Sequence, residues 1–377
     1  MIPLHEPRFS RDEVSLVSEA VASGWVSTGG ALVGEFEHAL AAKCGAGHAI
    51  AVCNGTAALH LAFLAAGVRP GDLVLAPSLT FIAAINGAVY CGAEPCFVDV
   101  DRATLGMCPA ALEEFLSANA DLDDAGQAIL RETGRRIGAC VIVHLMGHPA
   151  DAAAIATTLR KYGIPLVEDG SESLGSLARG APVGGHGLVH TLSFNGNKIV
   201  TTGGGGAALT DDEAVAKKLR HLSTQGKSDE LYYRHDVVGY NYRMPNVNAA
   251  LGLAQLAHID QAVESKRKIA DRYYETLVAA GIKTFVEQDW ARSNYWLNVA
   301  FVQPDRRDSV IRGMRDAGIG VRPLFAANHE HPMYNDAPRG SLDTTVDLIA
   351  RAVCLPSSPH LSEQEVSSIA AKLVALV

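Results

Sequence analysis

The chain predicts an α/β protein: a mostly parallel, seven-stranded sheet flanked by helices, followed by a small C-terminal α+β domain. Two patterns carry the prediction. From about residue 48, short β-rich runs alternate with stretches of helical pattern, as in sheets whose parallel strands are joined by crossover helices. After Met244-Pro245 the texture changes to a long alanine-rich run of helical period, and looser strand and helix patterns follow it. The expected division is therefore a large α/β domain over 1–245, then a linking helix and small domain over 246–377.

Taken in order, 48–53 reads as a strand, 55–66 as a helix and 73–76 as the next strand. A helix over 81–90, a strand over 95–98 and a third strand-like run over 136–144 come next. Then 151–162 reads as a helix and 165–168 as a strand, and 188–194 and 207–210 complete the seven. The charged, poorly patterned stretch 121–136 is expected to form an exposed connection. The run over 247–279 keeps a 3.6-residue period without a lasting heptad, so it predicts one long linking helix rather than a coiled coil. Beyond it, 296–302 and 320–322 read as strands, and 308–317 and 362–377 as helices.

Bulk properties narrow the function. Of 377 residues, 48% are hydrophobic and 19% charged, the balance of a globular protein with room for two cores. A formal net charge of −9 argues against nucleic acid or an anionic membrane as the main partner. Seven scattered cysteines without a Cys-x-x-Cys pair suit reduced thiols, and no run approaches the roughly 18 apolar residues a membrane helix needs. A cytoplasmic location is the expectation.

Four segments carry candidate chemistry. Lys198 lies in 193–206 among uncharged polar residues and glycines, far in sequence from any carboxylate. An amine taken out of water is driven toward the neutral form that attacks carbonyl groups, so Lys198 is a candidate Schiff-base lysine; the alternative is a solvated turn lysine. Asn54-Gly55-Thr56 lies where a strand hands over to a helix, where free N–H groups suit a phosphate, although the same residues also make an ordinary cap. Asp169 ends an apolar strand, and a carboxylate there needs a cationic partner; a protonated pyridine nitrogen, a structural salt bridge or a metal would each serve. Phe81 could lay its ring over a planar cofactor or be plain core, and Ser193 could add a phosphate contact or simply end a strand. His329 and His331 have no acidic or cysteine partner placed near them, so no metal is expected; with Arg322, whose guanidinium suits a diphosphate or carboxylate, they are candidate lining of a substrate pocket.

Together these segments resemble the pyridoxal-phosphate-dependent aminotransferases of fold type I, and specifically the DegT/DnrJ/EryC1/StrS family of nucleotide-sugar aminotransferases. Gly24-Trp25-Val26-Ser27, Asn54 to Leu59, Pro77 to Phe81, Glu168-Asp169, Ser193-Phe194, Lys198 and Gly239 to Met244 fall in that family's order. The resemblance implies pyridoxal 5'-phosphate, with Lys198 in the Schiff base and moving the proton, and Asp169 on the pyridine nitrogen. Phe81 would stack on the ring, while Gly55, Thr56 and Ser193 would hold the phosphate. It implies that Asn241 reaches the phosphate of a neighbouring subunit, making a homodimer the minimal active unit, and that Trp25 is a substrate contact. Glu172 stands where many members have glutamine near the cofactor's phenolic oxygen, and Gly203 to Gly206 replaces the usual Gly-Glu-Gly-Gly, giving room for a cofactor and a bulky sugar. These variants resemble the branch acting on UDP-linked 4-keto-6-deoxy-N-acetylhexosamine in legionaminic- or bacillosamine-type pathways, with L-glutamate as amino donor. Lysine rather than histidine at 198 points to transamination rather than the dehydration some members perform. The competing readings are another fold-type I enzyme on a non-nucleotide substrate and a non-catalytic, cofactor-binding sensor.

Overall fold

A computed structural model describes residues 1–377. Two helices precede the sheet: α1 (Arg11–Ala22), closed by a Ser10/Glu13 capping box, and α2 (Ala31–Cys44), stopped by left-handed Gly45. The strand and helix alternation then begins. It runs β1 (His48–Val52), α3 (Gly55–Ala65), β2 (Leu73–Pro77), α4 (Ala83–Val89), β3 (Glu94–Val98) and α5 (Pro109–Asn119). The expected loop after α5 is instead a hairpin, β4 (Ala120–Leu122) and β5 (Ala128–Leu130), which extends the sheet along the start of β6 (Arg135–Val143). Its short strands hide in the sequence, because only Ala120, Ala128 and Leu130 turn inward.

The large sheet continues through α6 (Ala152–Lys161) and β7 (Leu166–Asp169), and through a small hairpin, β8 (Leu177–Ala178) and β9 (Ala181–Pro182). It closes with β10 (Val189–Ser193), β11 (Gly206–Thr210) and α7 (Glu213–Ser223). The seven expected strands lie in the order β1-β11-β10-β7-β6-β2-β3. Every pairing is parallel except those of β11, which runs against both neighbours. Strand β2 shows why the sequence reads as continuous hydrophobicity. Leu73 and Leu75 pack toward α5 and α6 on one face, while Val74 and Ala76 pack toward α3 and α4 on the other. Fully burying each such leucine or valine contributes roughly 1.5–3 kcal/mol.

The second half begins with an exposed hairpin, β12 (Lys227–Asp229) and β13 (Arg234–His235), followed by α8 (Asn246–Ala257) and α9 (Ile259–Ala279). The single long helix expected over 247–279 is thus two. His258, at φ −105° and ψ 5°, interrupts it, and its ring pairs with Asp12 at 3.0 Å. The break lets α8 lie against α1 and α2 while α9 turns away to pack on the C-terminal helix. The small domain holds β14 (Lys283–Thr284), β15 (Ala291–Arg292), β16 (Asn298–Phe301), α10 (Arg307–Asp316) and β17 (Arg322–Pro323). It ends with α11 (Asp343–Arg351), β18 (Ala352–Leu355) and α12 (Glu363–Val374). Its sheet, β14-β16-β18-β17, is antiparallel. Contacts cross the 245/246 division: Ile2 bridges Ile319, and β15 pairs with β8.

No helix is long and apolar enough to cross a membrane. All seven cysteines are unpaired, and Cys91, Cys96, Cys140 and Cys354 are buried.

Candidate active site

Strands β2, β6, β7 and β10 run parallel and deliver their carboxyl ends to one edge, the place where open α/β sheets bind ligands. There a cleft of about 450 Å³ opens between the large sheet and the small domain. Its walls include Gly55, Thr56, Phe81, Asp169, Glu172, Ser193 and Lys198 from the first half of the chain, and Trp296, Arg322 and Phe325 from the second. The volume is that of a site for one small molecule or cofactor.

The turn from β1 into α3 builds one end. Asn54 caps the helix by accepting from Ala57 N at 2.7 Å, leaving the N–H groups of Gly55 and Thr56 without partners inside the helix. A side chain at Gly55 would bring Cβ within 2.9 Å of Ser193 Cβ and 3.4 Å of Ser171 Oγ. Glycine therefore lets two hydroxyls close on a helix start, an arrangement of donors and dipole suited to a phosphate.

Asp169 is 5% exposed and accepts only one backbone N–H, that of Ser171 at 2.9 Å. Burial raises its carboxyl pKa, against the hydrogen bonding of Ser171 and the charge of Lys198. Such a carboxylate has no ion-pair partner of its own, and a pyridinium N–H is a fitting donor to it. Its neighbour Glu168 points away from the cleft and is fully engaged: its carboxylate accepts from His186 N at 2.8 Å and Gly187 N at 2.6 Å, and meets His144 Nε2 at 3.1 Å.

Lys198, isolated in sequence, is not isolated in space. Its Nζ lies 3.5 Å from Glu172 Oε1 and 4.0 Å from the centre of the Trp296 ring. The turn after β10 brings it back over the sheet edge, and the chain distance to Glu172 hid the pair. Glu172 is buried and takes Met146 N at 2.7 Å. Burial raises its carboxyl pKa, opposed chiefly by Lys198, the Met146 N–H and Arg322.

The remaining expected residues divide. Phe81 does not begin a helix, since α4 starts at Ala83; it sits before that helix, 54% exposed, its ring 5.5 Å from that of Phe325. Arg322 lines the cleft with its guanidinium 4.5 Å from the Phe325 ring and no carboxylate within ion-pair distance. His329 does not line the cleft: its Nδ1 lies 2.7 Å from Ser78 Oγ, fastening the C-terminal segment behind β2. Trp25 is exposed outside the cleft, its carbonyl held by Asn246. Asn241 is also exposed, bridging Thr224 through the backbone and leaving the chain's own cleft untouched. Two of the four glycines, Gly205 and Gly206, give no room to a ligand. A Cβ at Gly206 would lie 2.5 Å from the Asn54 backbone, and one at Gly205 would meet Thr202 and Met244. They admit the chain's own backbone where β11 passes the start of α3.

The lining residues that the sequence did not single out include Trp296, Asn197 and Phe325. Trp296 is one of only three tryptophans, and a buried indole N–H needs an acceptor. It finds the carbonyl of Asn197, beside the lysine, at 2.8 Å.

Residues 7–374 match the model of the DegT/DnrJ/EryC1/StrS aminotransferase family. A GDP-perosamine synthase of Escherichia coli O157:H7 is 35% identical over 366 residues, covering 97% of this chain and 95% of that protein. A GDP-perosamine synthase of Caulobacter vibrioides is 36% identical over 383 residues, covering 99% and 97%. Among solved structures, the aminotransferase TlmJ of Streptoalloteichus hindustanus superposes with a TM-score of 0.90 at 30% identity, covering 100% and 98%.

Proposed function

From its membership of the DegT/DnrJ/EryC1/StrS aminotransferase family, to which the chain belongs as a pyridoxal-phosphate-dependent nucleotide-sugar aminotransferase, we propose that it moves the amino group of L-glutamate to C4 of a nucleotide-linked 4-keto-6-deoxy sugar. The observation that carries the site assignment is Asp169, a buried carboxylate without a cation, in one cleft with Lys198 and the α3 start.

In this reading Asp169 holds the pyridine N–H, the Gly55 and Thr56 N–H groups and the Ser193 hydroxyl take the phosphate, and Phe81 covers the ring. Bound there, the cofactor supplies an electron sink for the carbon that loses a proton. Lys198 would hold the cofactor's carbonyl carbon through its Nζ, and the same amine, when free, would carry the proton at the reacting carbon. Glu172, 3.5 Å away, holds that amine in place. Arg322, free of any carboxylate, takes the anionic part of each substrate in turn, the glutamate carboxylate and then the sugar diphosphate. Asn241 completes the phosphate site from a second subunit, so that a cytoplasmic homodimer is the working unit.

The sugar proposed from the sequence variants is UDP-linked 4-keto-6-deoxy-N-acetylhexosamine, serving cell-surface glycan or sialic-acid-like sugar synthesis. The relatives named GDP-perosamine synthase favour a GDP-linked sugar as the second reading. Incubation with glutamate and a panel of UDP-, GDP- and dTDP-linked 3- and 4-keto sugars, read by product mass, decides between them. Amination of the UDP-linked compound supports the first reading, and amination of the GDP-linked one replaces it. Glutamate-dependent bleaching of the cofactor with no sugar product anywhere in the panel would sink both.

A further inference from the structure

We propose that Lys266, a buried lysine on α9, is a positioning residue for Lys198 and acts through Trp296. The proposal rests on the reading of Lys198 as the Schiff-base lysine.

Lys266 is 0% exposed and has no carboxylate partner. Its Nζ donates to the Trp296 carbonyl at 3.0 Å, the Ser357 carbonyl at 2.5 Å and the Ser357 hydroxyl at 3.0 Å. Ser357 Oγ donates in turn to the same Trp296 carbonyl at 2.5 Å. Three acceptors match the three N–H bonds of an ammonium. An amine this deep is costly, and burial pushes its pKa well below the ordinary lysine range. A leucine or methionine would avoid that cost, so what Lys266 supplies is the fixing of two backbone carbonyls.

The carbonyl it holds belongs to the residue that faces the other lysine. On the cleft side, Trp296 Nε1 donates to Asn197 O at 2.8 Å and the indole lies 4.0 Å from Lys198 Nζ. Trp296 N donates to Asn294 Oδ1 at 2.8 Å, so the backbone of the residue is pinned from both sides. The indole is thus anchored in the small domain and leans on the cleft lysine. Other charged or titratable groups acting on Lys198 are Glu172, Asp169 and His5. His5 also feels Lys266, and burial with the two lysines and His360 drives its pKa down. Arg322 acts on the same cleft through Glu172.

A ring face favours the cationic form of the nitrogen it covers, so loosening the indole makes that nitrogen release its proton more readily. The experiment is a pH titration of the visible absorbance of the cofactor-loaded protein. Lys266→Met is expected to move the midpoint down by about half a unit to one unit. Trp296→Leu should move it in the same direction, and the double variant should move it no further than Trp296→Leu alone. An unshifted midpoint in Lys266→Met, or shifts that add in the double variant, overturns the proposal. If Lys266→Met fails to fold, Ser357→Ala removes one acceptor and a bond to the same carbonyl; a smaller downward shift supports the proposal and none overturns it. Lys198→Ala separates the two claims. Its unaltered cofactor absorbance would refute the reading of Lys198 and this proposal with it, whereas a wild-type titration that it abolishes while Lys266→Met matches wild type overturns the proposal alone.

Discussion

Glu168 and Asp169 are consecutive buried carboxylates on one strand, and they show two opposite solutions to the same problem. Period-2 alternation sends Glu168 to the far side of β7, where His144, His186 N and Gly187 N close around it. Burial alone would raise its pKa, but the hydrogen bond and charge of His144, with smaller help from His190 and Gly187, hold it down at about 2. Asp169 faces the cleft with one N–H partner, and there burial wins. The protein has completed the electrostatics of the first and left those of the second to a ligand. Burial of charge by itself does not mark a site; an incomplete set of partners does.

Substitutions that remove each carboxylate test this contrast. Glu168→Leu leaves buried His144 and the part-buried His186 and Gly187 N–H groups without their acceptor and is expected to lower the unfolding free energy by about 3–5 kcal/mol, read by urea denaturation. Pyridoxal phosphate at about 100 times its dissociation constant should stabilise the wild type by about 2.7 kcal/mol, and Asp169→Asn should bind at least about tenfold more weakly, losing about 1.4 kcal/mol at equal ligand. Equal binding by Asp169→Asn would break the assignment of that carboxylate to the cofactor.

The smallest effect has the opposite sign to the first. Without cofactor, Asp169→Asn should be more stable than wild type by about 1 kcal/mol at neutral pH, because it removes an unpaired buried charge. The pH dependence separates the two residues further. A raised acid binds its proton more tightly when folded, so the stability Asp169 contributes is present below its unfolded pKa and is lost as pH rises through the raised value. The advantage of Asp169→Asn should therefore fade below about pH 4, near the unfolded value. Glu168 runs the other way: its contribution is present above its unfolded pKa and is lost as pH falls toward about 2. Urea midpoints measured from pH 3 to 8 should show the two trends diverging, and parallel trends would remove the distinction.

What the sequence disclosed follows from what is local. The seven large-sheet strands were legible because their buried residues are contiguous, as in β2, and Lys198, Asp169 and the α3 start were legible because each ends or closely follows such a strand. Distance in the chain hid the rest. Nothing near Lys198 announces Glu172, and nothing near Trp296 announces Asn197. The break at His258 is set by what α8 and α9 pack against, since their own sequence is helical throughout. The glycines at 205 and 206 misled for a related reason: their constraint comes from Asn54, Thr202 and Met244, not from a ligand. Trp25 and His329, expected as substrate contacts, do not line the cleft of their own subunit.

The buried thiols give the fold a built-in clock. Burial pushes Cys91 and Cys96 up to about 12 and Cys354 up to about 11, and Cys140 is driven upward as well. Alkylating reagents attack the thiolate, so these four sulfurs stay silent at neutral pH while the protein is closed. Half-buried Cys108 is expected to react sooner than these four. The lag between the two populations, followed by mass over time, measures how often the interior opens, and any ligand that bridges the two domains should lengthen it.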